Sequence, residues 1–469
     1  MYQNNEGIIL IILTILFAGI QRRGFMNQNE EIFKNASIKK AVMTMAIPTV
    51  VSSLVLVIYN MSDTFFVGQT HDAFQVAAVS LTNPVFVMYM ALANLFGIGG
   101  SALISIFLGQ GKDKAAKQVS ALCGYGSLLS GVIIGVCIIV FMNPLLNILG
   151  SSSNTMQLAK DYLFYIAVGA PFILFANTFG HALRGEGAAK AAMLGGMIGT
   201  IANIVFDPIF ILVLDMKTAG AALATVLGNI LGCIYYLYYF KYKSPMLSLC
   251  LKDCFEGINL TGKLVKIGIP AGVNSALMSI ATILLNNVLA KYGDNPVAAM
   301  GIVTKAYMLI VFIHMGIANG IQPLLGYCYG AHLKDRFKGI LKFSAILTLI
   351  IGVVLTALYV GMSENIIQLF INDQDVIKYG TDMLIATSLA GPILGILFLA
   401  INSMQAMECA IPATLLSICR QGMIFIPLLY ILDYVFGLKG IYYTQTISDY
   451  ISIIISLFLL KHSFRVFSK

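Results

Sequence analysis

The sequence predicts an all-α membrane protein of about twelve transmembrane helices, built as two six-helix lobes copied from one design. Three observations predict it. The 469 residues are 58% hydrophobic and only 11% charged, with a mean hydropathy of +0.87. The apolar residues gather into about twelve runs near the roughly 20 residues that cross a bilayer. Landmarks recur at a nearly fixed offset. Ile47-Pro48 returns as Ile269-Pro270 after 222 positions (270 − 48), and Val76-Ala77-Ala78 as Val297-Ala298-Ala299 after 221. Pro171 returns as Pro392 after 221, and Gly220 as Gly440 after 220.

The first six runs lie near 41–68, 73–104, 116–142, 158–180, 188–214 and 218–240. Ala46-Ile47-Pro48 begins the first, which ends at Ser62-Asp63-Thr64-Phe65-Phe66-Val67-Gly68. Gly109-Gln110-Gly111-Lys112-Asp113 closes the second, and its repeat partner begins at Gly330. Arg184-Gly185-Glu186-Gly187 precedes the fifth, Asn203 to Pro208 lie inside it, and Ala219 to Thr225 open the sixth. The second set lies near 264–290, 297–328, 339–361, 380–404, 409–432 and 438–460. Long continuous apolar runs argue for helices, because barrel strands are short and alternate. Six spans return the chain to the side where it began. The two lobes are therefore parallel repeats about an axis along the membrane normal. The expected organisation is an N-terminal segment 1–35, a first lobe 36–240, a loop 241–263, a second lobe 264–462 and a cytoplasmic tail 463–469. Duplicated bundles place a substrate path where the halves meet.

The net charge of +8 is a topology signal. Of 29 Lys and Arg, 22 fall on the side of the N-terminus, 5 on the other side, and Lys305 and Arg420 within spans. The positive-inside rule then puts both termini in the cytoplasm of a cell-membrane protein. No nucleic-acid partner is expected. None of the eight cysteines has metal-site spacing, so they read as small apolar packers. Gly7 to Ile20 is too short to span and carries Arg22-Arg23 after its apolar core, the reverse of a signal peptide. Met26 is the expected native start, with 1–25 as upstream sequence. There is no Walker motif, so any work must draw on an ion gradient. No catalytic constellation is present, and the chain is not expected to be an enzyme. A monomer without bound cofactor is expected.

The motifs just quoted, with Gly320-Ile321-Gln322-Pro323 and Gly326 to Ala331 in the second lobe, resemble the multidrug and toxic compound extrusion (MATE) transporters. Within that family the chain is most similar to the bacterial branch containing the staphylococcal multidrug exporter and the DNA-damage-inducible type. The resemblance covers roughly residues 36–462. It implies a twelve-helix, two-lobe exporter of amphipathic organic cations, driven by a proton or sodium gradient.

Several embedded polar groups share one depth. Asp63 lies about five residues from the outer end of the first span and Asp207 about seven from that of the fifth. Asn203 precedes Asp207 by one turn on the same face. Thr225 and Tyr162 sit near the outer ends of the sixth and fourth spans. At ~1.5 Å per residue all lie about 8–10 Å below the outer surface. The resemblance places its cation site at these motif positions: Asp63, Asp207, Asn203, Thr225 and Tyr162. A poorly solvated carboxylate takes up protons near neutral pH, whereas two acids with amide and hydroxyl oxygens suit sodium at Asp63, Asp207, Asn203 and Thr225. The alternative is structural, with Asp63 snorkelling to water and Asp207 capping a kink at Pro208.

The second lobe lacks both acids, since the partner of Asp63 falls near Leu285 and that of Asp207 near Phe425 to Pro427. It embeds Lys305, His314, Arg420 and Asp449 instead. Opposite buried charges pair, so Asp449, Arg420 and Lys305 are expected in one network, while His314 reads as a packing residue. Glu186 and Glu408 read as helix caps or gate residues in cytoplasmic connections. A competing function is a lipid-linked saccharide flippase, for which Lys305 and Arg420 supply cavity cations. A signalling role lacks an output domain.

Overall fold

In a computed structural model of the protein, residues 31–68, 73–244 and 246–468 are described, without the side chains of 60–65, 67–68, 73, 76, 466 and 468. The expected start at Met26 lies outside the described residues. We number the spanning helices α1 (Ile38–Gly68), α2 (Ala73–Gly109), α3 (Asp113–Val140), α4 (Met156–Gly185), α5 (Ala189–Pro208), α6 (Lys217–Tyr242), α7 (Thr261–Leu289), α8 (Asp294–Gly330), α9 (Lys334–Gly361), α10 (Gln374–Ser388 and Gly391–Ala406), α11 (Ala410–Phe436) and α12 (Leu438–Ser468). Eleven of these are single helices long and apolar enough to cross a membrane. The twelfth, α10, is a pair bent by 49°. The order and bounds follow the expected spans closely. Residues 463–468, assigned to a tail, continue α12, and Phe467 packs against Tyr329 and Phe337.

The repeat explains one crossing in each lobe. Gly131 of α3 meets Pro171 of α4, and 221 residues later Gly352 of α9 meets Gly391 and Pro392 of α10. A side chain at either glycine strikes backbone, so the seam needs hydrogen there. The outcomes differ. α4 runs unbroken through Pro171, whereas α10 breaks between Ser388 and Gly391. Proline removes one ladder bond in both, but in α10 the preceding residue is glycine where α4 has Ala170, which frees the backbone to bend.

The lobes meet through α1 against α8 and α2 against α7 and α8. These contacts concentrate at the face where α1 begins and α2 ends, the face that collects most Lys and Arg. A Cβ at Gly99 would lie 2.7 Å from the Leu264 carbonyl oxygen, and one at Gly320 would lie 2.8 Å from that of Met45. Gly109 is tighter still on Tyr327, and Gly330 on Ile106. Toward the other face the contact opens, and a Cβ at Gly301 of α8 would meet nothing within 4 Å. The connection after α6 is fastened to the first lobe. Ser248 N donates to Ser120 Oγ at 2.7 Å, and Tyr125 Oη donates to Leu249 O at 2.8 Å. Residues Glu31–Asn35 are held under the second lobe, where Arg336 Nε donates to Phe33 O at 2.7 Å and Phe33 stacks on Tyr327.

Candidate functional site

Asp207 stands at the C-terminal end of α5 with no exposed surface. Pro208 has no N–H, so the carbonyl one turn back at Ile204 has no ladder donor, and a π-helical turn Ile209–Val213 follows. Within this turn only Ile211 is buried, whereas Ile209, Leu212 and Val213 are exposed. Asn203 and Thr225, at 2% and 3% exposure, converge on Asp207 from α5 and α6. With its amide nitrogen toward Asp207, Asn203 donates to Oδ2 at 3.1 Å. Its Oδ1 then accepts from Thr225 Oγ1 at 3.3 Å and from Thr225 N at 3.0 Å. Tyr59 Oη of α1 lies 3.2 Å from Thr225 Oγ1. The polar chain Tyr59–Thr225–Asn203–Asp207 therefore ties three helices of the first lobe together. A carboxyl buried this deeply is stable only when protonated or when its charge is shared with a cation and hydrogen-bond donors.

Asp207, Asn203 and Thr225 are brought together. Tyr162 is half-buried in a small cluster with Ile211 and Ala221. Ile211 follows Asp207 by one turn and Ala221 precedes Thr225 by one, so Tyr162 packs just outward of the carboxyl. The Asp63 side chain lies outside the described residues. Its position on α1 is one turn beyond Tyr59, on the same face. Tyr59 is the participant the sequence reading missed, and that i, i+4 relation to Asp63 is the signal that finds it.

Of the three charges expected in one network, Arg420 and Asp449 pair and Lys305 does not join them. Arg420 Nε donates to Asp449 Oδ1 at 2.8 Å, with the two side chains 5% and 0% exposed. Gln445 Nε2 donates to the same oxygen at 3.0 Å, Ser448 Oγ donates to Arg420 O at 2.7 Å, and the Phe398 ring lies 5.1 Å from the guanidinium carbon. Asp449 Oδ2 and Tyr307 Oη are buried without a hydrogen-bond partner among the described residues. Lys305 stays out of this pair. It is exposed, and no ion pair among the described residues holds it. His314 is fully buried, on the side of α8 that meets Gly395. The reason for the split is helical phase: Lys305 and His314 are nine residues apart, which sets them on opposite faces of α8.

At the basic face, Glu186 is not a surface cap. It is 1% exposed, accepts from Ser244 Oγ at 2.7 Å, and burial pushes its carboxyl up to about 8. Its repeat partner Glu408, 222 positions on (408 − 186), is partly exposed and pairs with Lys263 at 3.5 Å.

Comparison with known proteins agrees with this architecture. The MatE family pattern matches the chain twice, at residues 48–209 and 270–431, with starts 222 apart (270 − 48). The chain is 32% identical over 417 residues to the multidrug export protein MepA of Staphylococcus aureus (strain MSSA476), covering 89% of this chain and 92% of that protein. It is 31% identical over the same length to the protein of that name from Staphylococcus saprophyticus, with the same coverage. Among solved structures, a MATE in complex with MaL6 superposes with a TM-score of 0.89 at 24% identity, covering 94% of this chain and 99% of the other. An outward-facing multidrug resistance MATE family transporter of the MOP superfamily gives the same score and identity, covering 93% and 98%. These structural likenesses establish the two-lobe fold.

Proposed function

The chain belongs to the MatE family, and from that premise we propose that it is a cation-coupled antiporter exporting amphipathic, mainly cationic organic compounds by alternating access between its two lobes. The observation that carries this reading is the fully buried Asp207 within the chain Tyr59–Thr225–Asn203–Asp207, a construction the second lobe does not repeat. The kinship with multidrug export proteins of staphylococci supports the substrate class.

On this reading the basic face is cytoplasmic, and the lobes stand closed toward the cytoplasm and parted toward the outside. Asp207 takes a proton or a sodium ion from the outer side. Asn203 and Thr225 hold the carboxyl and offer further oxygens. Tyr59 links this event to α1, which also lies on the inter-lobe contact with α8. Loading Asp207 removes or shares a buried negative charge. That changes which hydrogen bonds Asn203 and Thr225 make, and so shifts α1 against the second lobe and expels substrate. Release of the ion to the cytoplasm restores the charge.

The deciding experiment is dye efflux from proteoliposomes with proton and sodium gradients imposed separately. Export should follow one gradient in the wild type and vanish in Asp207→Asn with the protein still folded. Equal export with no gradient at all contradicts coupling.

A further inference from the structure

Lys305 is in no ion pair among the described residues and stays out of the Arg420–Asp449 pair, yet its position on α8 is specific. Eleven residues separate it from Gly316, about 20° off whole helical turns, and fifteen from Gly320, about 60° off. Those two glycines are where α8 touches α1: a Cβ at Gly316 would lie 2.9 Å from Val50, and one at Gly320 would lie 2.8 Å from the Met45 carbonyl oxygen. Lys305 therefore stands on the stripe of α8 that faces the first lobe, about 16 Å beyond Gly316 toward the open end. Tyr307 and His314, at about 200° and 180° from it, point into the second lobe and are buried. Gly301, one turn further out, faces empty space. Met308, Leu309 and Phe312 continue the stripe inward and are half-buried.

We propose that Lys305 is a specificity-determining residue for the exported compound. Its ammonium receives a carboxylate on an amphipathic substrate whose apolar body lies along Met308, Leu309 and Phe312. A cation held by no acid among the described residues, on the wall of a cleft with low-dielectric sides, focuses its field into that cleft. It attracts an acidic group and disfavours a compound that carries only positive charge. An ammonium stranded against hydrocarbon is costly, and the phase relation to Gly316 turns it toward the inter-lobe space instead. Within the amphipathic, mainly cationic class proposed above, the preferred members are thus those that also carry a free carboxylate.

This inference rests on the export reading. It is tested in proteoliposomes with two dyes that differ only in one group: rhodamine B, whose carboxylate is free, and its ethyl ester, a simple cation. Lys305→Met should raise the KM for rhodamine B at least tenfold and leave that of the ester within twofold or lower it. Lys305→Arg should keep the wild-type preference. Export of the ester with an unchanged rhodamine B KM in Lys305→Met overturns the assignment alone, as does an equal loss for both dyes, which marks Lys305 as structural. Failure of the wild type to export either dye overturns the export reading itself.

Discussion

Arg420 and Asp449 form their ion pair at the crossing of α11 and α12; 221 residues earlier in each helix (420 − 199 and 449 − 228), Gly199 of α5 and Gly228 of α6 bring two backbones together. The same helix crossing is thus closed by close packing in one lobe and by buried charge in the other. In the first lobe the glycine contact draws α5 and α6 together just below Asn203 and Thr225, and Gly228 would itself meet Asn203 Cβ at 3.2 Å if it bore a side chain. In the second lobe no carboxyl site lies above the crossing, and the space is filled by Arg420, Asp449 and the Phe398 ring.

The ion pair should behave as a buried one. Removing one partner leaves an uncompensated charge, so Asp449→Leu and Arg420→Met should each destabilise by about 3–5 kcal/mol. The double substitution should cost less than either alone, because it leaves no orphaned charge. Thermal unfolding in detergent of the two singles and the double supplies the cycle. Additive losses would count against direct pairing.

Asp207→Asn should abolish gradient-driven export without lowering yield, and Asp63→Asn should do the same. Tyr59→Phe deletes one hydroxyl from the polar chain and leaves the carboxyl in place. A hydrogen bond is worth about 1 kcal/mol, so export should fall roughly fivefold rather than vanish. A Tyr59→Phe transporter with wild-type rate would place Tyr59 outside the coupling chain.

Much of this was legible in the sequence because hydropathy and the repeat each report one simple physical demand. A run such as 116–142 has to be a span, and Asp207 with Asn203 at i, i+4 has to share a face. What was not legible depends on packing between elements. The run 380–404 reads as one apolar span by hydropathy, and its break in α10 is marked only by the pair Gly391-Pro392, where the first lobe has Ala170-Pro171. Tyr59 reads as an ordinary apolar-span residue until α6 brings Thr225 to its hydroxyl. Lys305 joins Arg420 and Asp449 when charges are counted and separates from them once the phase of α8 is known.

Gly99 tests the closed face. A side chain there meets the Leu264 carbonyl and the Gly268 backbone nitrogen at 2.7 and 2.9 Å, neither of which is a flexible side-chain end. Gly99→Val should therefore pry α2 from α7 and slow export while the helices still form. Spin labels at Asp113 and Lys338, both exposed at the basic face, should report a longer distance in the variant, in a background without native cysteines. An unchanged distance would show that this contact does not seal the lobes.

Glu186 makes stability depend on pH in a predictable direction. Its carboxyl rises from an ordinary 4.5 to about 8 because burial penalises the charged form, more than the Ser244 hydrogen bond favours it. Between those values the folded protein holds a proton that the unfolded chain has released. Stability from this group is therefore complete below about 4.5 and is lost as pH climbs through about 8, with a limiting slope near 1.4 kcal/mol per pH unit. Glu186→Gln keeps an acceptor for Ser244 Oγ and cannot ionise. The wild type should lose Tm between pH 6 and pH 9 relative to this variant, and the two should run in parallel below pH 4.5. The ionised carboxylate at high pH also sits beside the start of the inter-lobe connection at Ser244, so the same rise in pH should speed protease cleavage near residues 243–250 in the wild type and not in Glu186→Gln. A wild-type Tm that rises with pH relative to the variant would mean that the carboxylate is stabilised where it stands, against the burial that surrounds it.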